Sequence, residues 1–94
     1  MVWLAFEWDP IKALENDQKH GVTFKEASTS FADVSSITIY DPEHSDPEDR
    51  YVLLGMSAAG RLLVVVHVER GDNIRLISAR PANPREASKY TRSH

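Results

Sequence analysis

The chain has 94 residues, of which 41% are apolar, and its formal charge is −3. That length favours a single domain over residues 1–94 with one modest core. The absence of cysteine excludes a disulfide scaffold and a cysteine nucleophile, and no apolar run approaches the ~18 residues needed to cross a membrane. Because the apolar start is short and already acidic at Glu7, it does not resemble a signal peptide, and we expect a cytoplasmic protein.

The charges are distributed unevenly along the chain. Residues 1–60 carry four Lys or Arg against eleven Asp or Glu, whereas residues 61–94 carry seven against three. The basic C-terminal third favours a local anion-binding face, although the chain as a whole is acidic. The acidic part either meets a basic partner or keeps the domain soluble.

The chain begins with a predicted strand and helix. Aromatic and β-branched residues from Val2 to Trp8 are typical of a short strand. Asp9 is a suitable N-cap for a helix over Ile11–His20. Gly21 can end that helix, because glycine adopts the left-handed conformation of a helix C-terminus readily.

A second helix, a strand and a polar loop follow. Thr23 predicts the helix N-cap, and Glu26 is spaced to complete a capping box. The β-branched run Val34–Tyr40 predicts a strand. The segment Asp41–Asp49 is acidic and contains two prolines, so we expect a loop there.

The last part of the chain predicts an antiparallel meander and a helix. Strands are expected over Tyr51–Met56, Arg61–Glu69 and Asn73–Arg80, with Asn83 as the N-cap of a final helix. The predicted fold is α+β: a short N-terminal strand, two helices, an antiparallel sheet of about four strands and a C-terminal helix.

The last predicted strand and helix carry the clearest anion-binding signal. Their candidate residues for contacting RNA or another anion are Arg75, Arg80, Arg85, Lys89 and Tyr90. Arginine suits this task because its planar fork donates two parallel hydrogen bonds to a phosphate. Since Arg75 and Arg80 are five positions apart, strict alternation places them on opposite faces unless the strand is bulged or ends near Ser78.

The polar loop holds residues suited to proton transfer. His44 and Glu48 lie on one loop, and Arg50 lies where the loop becomes a strand. An imidazole can exchange protons near neutral pH, and an arginine can stabilise charge on a phosphorane. The alternative is an acidic, solvated loop with an incidental histidine.

The other histidines give weaker signals. Lys19 and His20 fall in the last turn of the first helix, where cations offset the helix dipole, so a structural role is the default there. His67, inside a strand, is typical of a packed, hydrogen-bonded residue, although a site role stays open. The histidines lack the spacing of metal ligands and no glycine-rich phosphate loop occurs, so we expect no metal or cofactor.

An ordered set of short motifs resembles the BrnT-type toxins of bacterial type II toxin–antitoxin systems. The set comprises Phe6-Glu7-Trp8-Asp9-Pro10, Lys12-Ala13, Asn16, Lys19-His20-Gly21-Val22-Thr23-Phe24, Glu26-Ala27, Asp41, His44-Ser45, Glu48, Arg50, Gly55, Glu69-Arg70-Gly71, Ile74-Arg75-Leu76-Ile77-Ser78-Ala79-Arg80, Ala82, Arg85-Glu86 and Tyr90. The family usually has Thr and a basic residue after Ala82. Here Asn83-Pro84 keeps the helix cap and loses one cation.

The resemblance implies a RelE-like fold and a ribonuclease that stops translation by cutting RNA, either free or on the ribosome. It also implies neutralisation by a BrnA-type antitoxin with a ribbon-helix-helix-type domain, through which the pair binds operator DNA.

A metal-free ribonuclease needs a base for the ribose 2′-OH, a cation for the phosphorane and an acid for the leaving 5′ oxygen. We assign His44 or Glu48 to proton transfer and Arg50 and Arg80 to phosphate charge. His20, Lys19 and His67 are second candidates. Two other functions stay open: a non-catalytic module that binds the antitoxin, and an RNA- or ribosome-binding structural domain.

Overall fold

The computed structural model describes residues 5–93 as a five-stranded sheet with three α-helices. The elements are β1 (Ala5–Glu7), α1 (Pro10–His20), α2 (Phe24–Thr29), β2 (Ile37–Asp41), β3 (Arg50–Met56), β4 (Leu62–Arg70), β5 (Asn73–Pro81) and α3 (Pro84–Arg92). Short 3₁₀ turns cover Ser30–Ala32 and Pro42–His44. The first part of the predicted strand, residues 2–4, lies outside the described residues. No described helix is long and apolar enough to cross a membrane.

The sheet has the strand order β1-β5-β4-β3-β2. Strands β2 to β5 form the predicted antiparallel meander, and β1 lies parallel to β5 at the edge. The expected α+β class is confirmed, but the sheet has five strands rather than about four, because β1 joins it. The predicted strand Val34–Tyr40 starts later, at Ile37, because Asp33 accepts the Ser35 amide in a turn.

Helix caps set the bounds of α1 as the sequence predicts. The Asp9 carboxylate accepts the Ile11 amide at 2.8 Å, and Gly21 ends the helix at φ 67°.

The cap of α2 differs from the predicted capping box. Thr23 Oγ1 accepts the Glu26 amide at 3.0 Å, as expected. The Glu26 carboxylate does not return to the cap, because it accepts hydrogen bonds from Arg61 and from the Ser57 hydroxyl, which donates at 2.7 Å. Glu26 therefore joins α2 to the turn between β3 and β4.

The core lies between the sheet and the pair α1–α2. A row of side chains across three strands, Leu53, Val65 and Ala79, faces these helices, which are joined to the sheet by buried Val22 and Phe24. The opposite face, here called the outer face, carries the alternate residues of each strand and is partly covered by α3.

A bulge in β5 aligns its two arginines. Val66 pairs with Ser78 but His67 pairs with Leu76, so β5 holds one extra residue at this point. Leu76 and Ala79 consequently both face the core, and Arg75 and Arg80 both lie on the outer face. The sequence analysis predicts that these two arginines share a face only if the strand is bulged or ends near Ser78, and the structure contains such a bulge.

Candidate active site

One row of residues crosses the outer face from edge to edge. In strand order the row consists of Asp41, Arg50, Val68, Arg75 and Glu7. Arg75 donates a hydrogen bond to the Glu7 carboxylate at 3.1 Å. The Arg50 guanidinium makes no ion pair with any residue from 5 to 93, so it is a cation available for an incoming anion.

A carboxylate orients the histidine beside this row. His44 Nδ1 lies 2.9 Å from Asp41 Oδ2, and the His44 side chain is 65% exposed. Because a carboxylate only accepts, Nδ1 carries the hydrogen and Nε2 is directed to solvent as an acceptor in the neutral ring. The hydrogen bond from His44 lowers the pKa of the Asp41 carboxyl. The arrangement leaves Nε2 as the ring atom at which a proton can be exchanged with a bound substrate.

The loop that carries His44 is closed by a serine. Ser45 Oγ donates to the carbonyl of Asp41 and accepts the Arg50 amide at 2.9 Å. These bonds join the last residue of β2 to the first residue of β3 across the loop. They hold His44 near the end of the strand pair that carries Arg50.

Glu48 lies among three arginines. Its carboxylate accepts two hydrogen bonds from Arg70, at 2.9 and 2.7 Å. These bonds from Arg70, and then the charges of Arg70, Arg75 and Arg50, lower the pKa of Glu48. Glu48 therefore stays ionised and orients Arg70 beside the row. Because its carboxyl group is ionised, Glu48 is a poor proton donor.

Arg80 lies elsewhere on the outer face and binds α3. Its guanidinium donates to both carboxylate oxygens of Glu86, each at 2.8 Å, and the pKa of Glu86 is lowered by this contact. Glu86 also accepts the Asn83 amide at 2.9 Å, while Asn83 accepts the Glu86 amide at 2.8 Å, so the predicted capping box is present. Arg80 thus joins the end of β5 to the start of α3.

The other candidates lie on α3, and Lys89 among them lines a groove. Tyr90 donates to Asp33 at 2.7 Å, and that bond raises the pKa of the Tyr90 hydroxyl. Lys89 lines an apolar groove of about 160 Å³ between α3 and the outer face, and Arg85 is exposed. None of these three residues lies in the row that contains Arg50.

The remaining histidines lie apart from His44. Lys19 and His20, at the end of α1, line a groove of about 250 Å³ beside Ile77 and Ser78 of β5. His67 is only 2% exposed and lies on the core face between the rings of Phe31 and Tyr51. Burial lowers its pKa. The described residues hold no group of three or more His, Cys, Asp or Glu side chains that could bind a metal ion.

Sequence reasoning gave no role to Asp41, Arg70 or Glu7. The three-residue spacing of Asp41 and His44 in a turn was a usable signal for the first of them. Arg70 joins the site through its ion pair with Glu48, and Glu7 joins it through the pairing of β1 with β5; both partners are distant in the chain, so no local pattern reveals them.

Comparisons with known proteins agree with this fold. Residues 8–86 match the family model of the ribonuclease toxin BrnT of type II toxin–antitoxin systems. The crystal structure of the Brucella abortus ribonuclease toxin BrnT, at 1.1 Å resolution, is similar, with a TM-score of 0.64 and 21% sequence identity. The likeness covers 86% of this chain and 99% of that chain. A search of curated proteins finds no match. The family match confirms the resemblance found in the sequence: the chain belongs to the BrnT family of ribonuclease toxins of type II toxin–antitoxin systems.

Proposed function

We propose that this toxin is a metal-independent endoribonuclease. Its proposed active site consists of His44 together with Asp41, Arg50 and Arg75 of the row. The observation that carries the proposal is a histidine oriented by Asp41, whose partner in the neighbouring strand is Arg50, an arginine that makes no ion pair within residues 5–93. In this reaction the ribose 2′-OH attacks the adjacent phosphorus, and the bond to the 5′ oxygen breaks. A 2′,3′-cyclic phosphate and a free 5′-OH result.

Each residue of the proposed site has a distinct task. His44 moves one of the two protons at Nε2, either from the 2′-OH or to the leaving 5′ oxygen, while Asp41 fixes its ring and water carries the other proton. Arg50 binds the non-bridging oxygens of the scissile phosphate, where negative charge grows in the transition state. Arg75 and Arg70 bind neighbouring phosphates after these replace Glu7 and Glu48 as their partners.

This assignment narrows the sequence hypothesis of His44 or Glu48 as base or acid. The lowered pKa of Glu48 and its two bonds to Arg70 favour His44 for proton transfer. The bidentate contact with Glu86 favours a positioning role for Arg80, which then supports α3 rather than the phosphate. Lys89 and Arg85 on α3 and Lys19 and His20 on α1 would bind flanking parts of the RNA.

The biological role follows from the family. A toxin of a type II system has an antitoxin partner, and we propose that this partner is BrnA-like and carries the DNA-binding domain through which the pair reaches its operator. The fold would be RelE-like and the substrate a cytoplasmic RNA, free or on the ribosome. Its cleavage would stop translation.

The test is cleavage of a labelled RNA by the purified, antitoxin-free toxin in the presence of EDTA. We expect His44→Ala and Arg50→Ala to lower the rate by about 100-fold or more each. Lys25→Ala is the matched control, because Lys25 is an exposed cation on α2, which lies on the other side of the sheet from the outer face. Its loss should leave the cleavage rate within about twofold of wild type. Wild-type rates in both site variants would disprove the assignment.

A non-catalytic binding module is the second candidate. This function is favoured because Arg70, Arg75 and Arg80 already form ion pairs with carboxylates of the chain. For this function the wild type would cut no RNA, with or without ribosomes, and would still bind the antitoxin.

A further inference from the structure

The two edges of the sheet are protected very differently. Beyond its short pairing with β1, strand β5 would expose its backbone at Ala79. Asn16 from α1 closes this gap: its side chain accepts the Ala79 amide at 3.0 Å and donates to the Ala79 carbonyl at 2.8 Å. A buried amide side chain here takes the place of a neighbouring strand.

The opposite edge, β2, has no such cover. Within residues 5–93 no strand lies beyond β2. Before Asp41 at its end, β2 reads Ile-Thr-Ile-Tyr and lacks the charges, proline or glycine with which proteins usually block an exposed edge. Ile39 is 59% exposed. Such an edge is a template for another strand.

The surroundings of β2 indicate the chemistry of that strand. On the outer face, Ile37 and Ile39 border the apolar groove of about 160 Å³ that also contains Val52 and Leu54. At the end of β2, the segment 41–49 has five Asp or Glu residues and no Lys or Arg. The complementary strand has an apolar side chain for the groove and cations for the acidic segment.

We propose that an extended segment of the antitoxin, apolar with flanking Lys or Arg residues, pairs with β2 as a sixth strand. The charge complementarity favours this partner over a second copy of the toxin, because residues 33–49 of such a copy, which include β2 and its flanks, contain no Lys or Arg to meet the acidic segment. Neighbouring strands lie about 4.8 Å apart, so the added strand would run directly beside Asp41 and over the approach to His44. The inference that this strand also blocks RNA cleavage rests on the proposed function, whereas the inference that it pairs with β2 does not.

The test is binding of the antitoxin encoded beside this toxin, measured without RNA. Alternate amides of β2 point away from β3 and should exchange quickly with solvent in the free toxin. We expect the antitoxin to slow their hydrogen exchange at least tenfold. Ile39→Lys, which adds a charge at the edge, should weaken antitoxin binding by at least about 30-fold in calorimetry.

The control is Ile11→Lys, the same exchange at a residue that is 69% exposed on α1, beside the other edge of the sheet. It should change affinity by less than about twofold. The pairing is wrong if bound antitoxin leaves β2 exchange unchanged while protecting another surface, or if both variants bind equally well. It is also wrong if free toxin dimerises in sedimentation with β2 already protected. Because none of these measurements involves cleavage, an inactive enzyme would not affect the result.

Discussion

Replacing Asn16 with alanine should destabilise the toxin by about 3 kcal/mol. The Asn16 side chain is buried and makes three hydrogen bonds to backbone groups, two with Ala79 and one with the Val22 carbonyl at 2.9 Å. Both partner residues are fully buried. Each buried group left without a partner costs about 1–3 kcal/mol. We take the lower value for each, because Asn16 lines a groove through which water can reach the freed groups.

Urea unfolding followed by circular dichroism measures this loss. With a slope of about 1.5 kcal/mol per molar urea, the midpoint of Asn16→Ala should fall by roughly 2 M. Glu15→Ala changes the exposed neighbouring residue on α1 and should stay within about 0.5 kcal/mol of wild type. The amide of Ala79 should also exchange faster in Asn16→Ala. A loss below about 1 kcal/mol, with Ala79 still protected, would refute the role of Asn16 as a substitute strand.

Two further predictions concern His67 and Arg80. Burial lowers the pKa of His67 from its ordinary 6.5, so the unfolded chain binds the proton more readily and the free energy of unfolding should fall as the pH drops below about 6.5. His67→Phe should flatten that dependence between pH 7 and 5 in urea titrations, and an unchanged slope would contradict it. If Arg80 acts by holding α3, Arg80→Ala and Glu86→Ala should lower RNA cleavage equally, and the double variant should be no worse than either. A much larger loss for Arg80→Ala alone would show that Arg80 contacts the phosphate.

The sequence predicted those parts of the fold that depend on neighbouring residues. The caps at Asp9 and Asn83 are confirmed because the capping contacts span only two or three residues. The capping box at Glu26 is wrong because its carboxylate finds a stronger partner, Arg61, which is 35 residues away in the chain. Similarly, Gly55 was assigned only to a strand. Its real constraint is the carbonyl oxygen of Ser30, which lies 2.9 Å from where a Cβ would be.

The same limit applies to the candidate site. Local spacing places His44, Glu48 and Arg50 on or beside one loop. It could not show that Glu48 binds Arg70, 22 residues away, or that Arg80 binds Glu86. Whether a charged residue is available to a ligand depends on such partners. The sequence therefore indicated the cations of the outer face without showing that Arg50, within the part of the chain that the structure describes, makes no ion pair while Arg70, Arg75 and Arg80 do.

The pairing of arginines with carboxylates also bears on how an acidic chain can hold RNA. Glu7 and Glu48 neutralise Arg75 and Arg70 in the free protein and hold them in place. A phosphate that displaces one of these carboxylates binds a guanidinium that is already oriented. It must, however, compete with the negatively charged carboxylate for that guanidinium. Arg50 carries no such cost, so on the proposed mechanism it binds the first phosphate. Of the two carboxylates, Glu48 lies in the loop between β2 and β3, on the side of the strand proposed for the antitoxin, whereas Glu7 lies at the opposite edge of the sheet. The cations of that strand would pair with Glu48 and close this side of the surface to RNA.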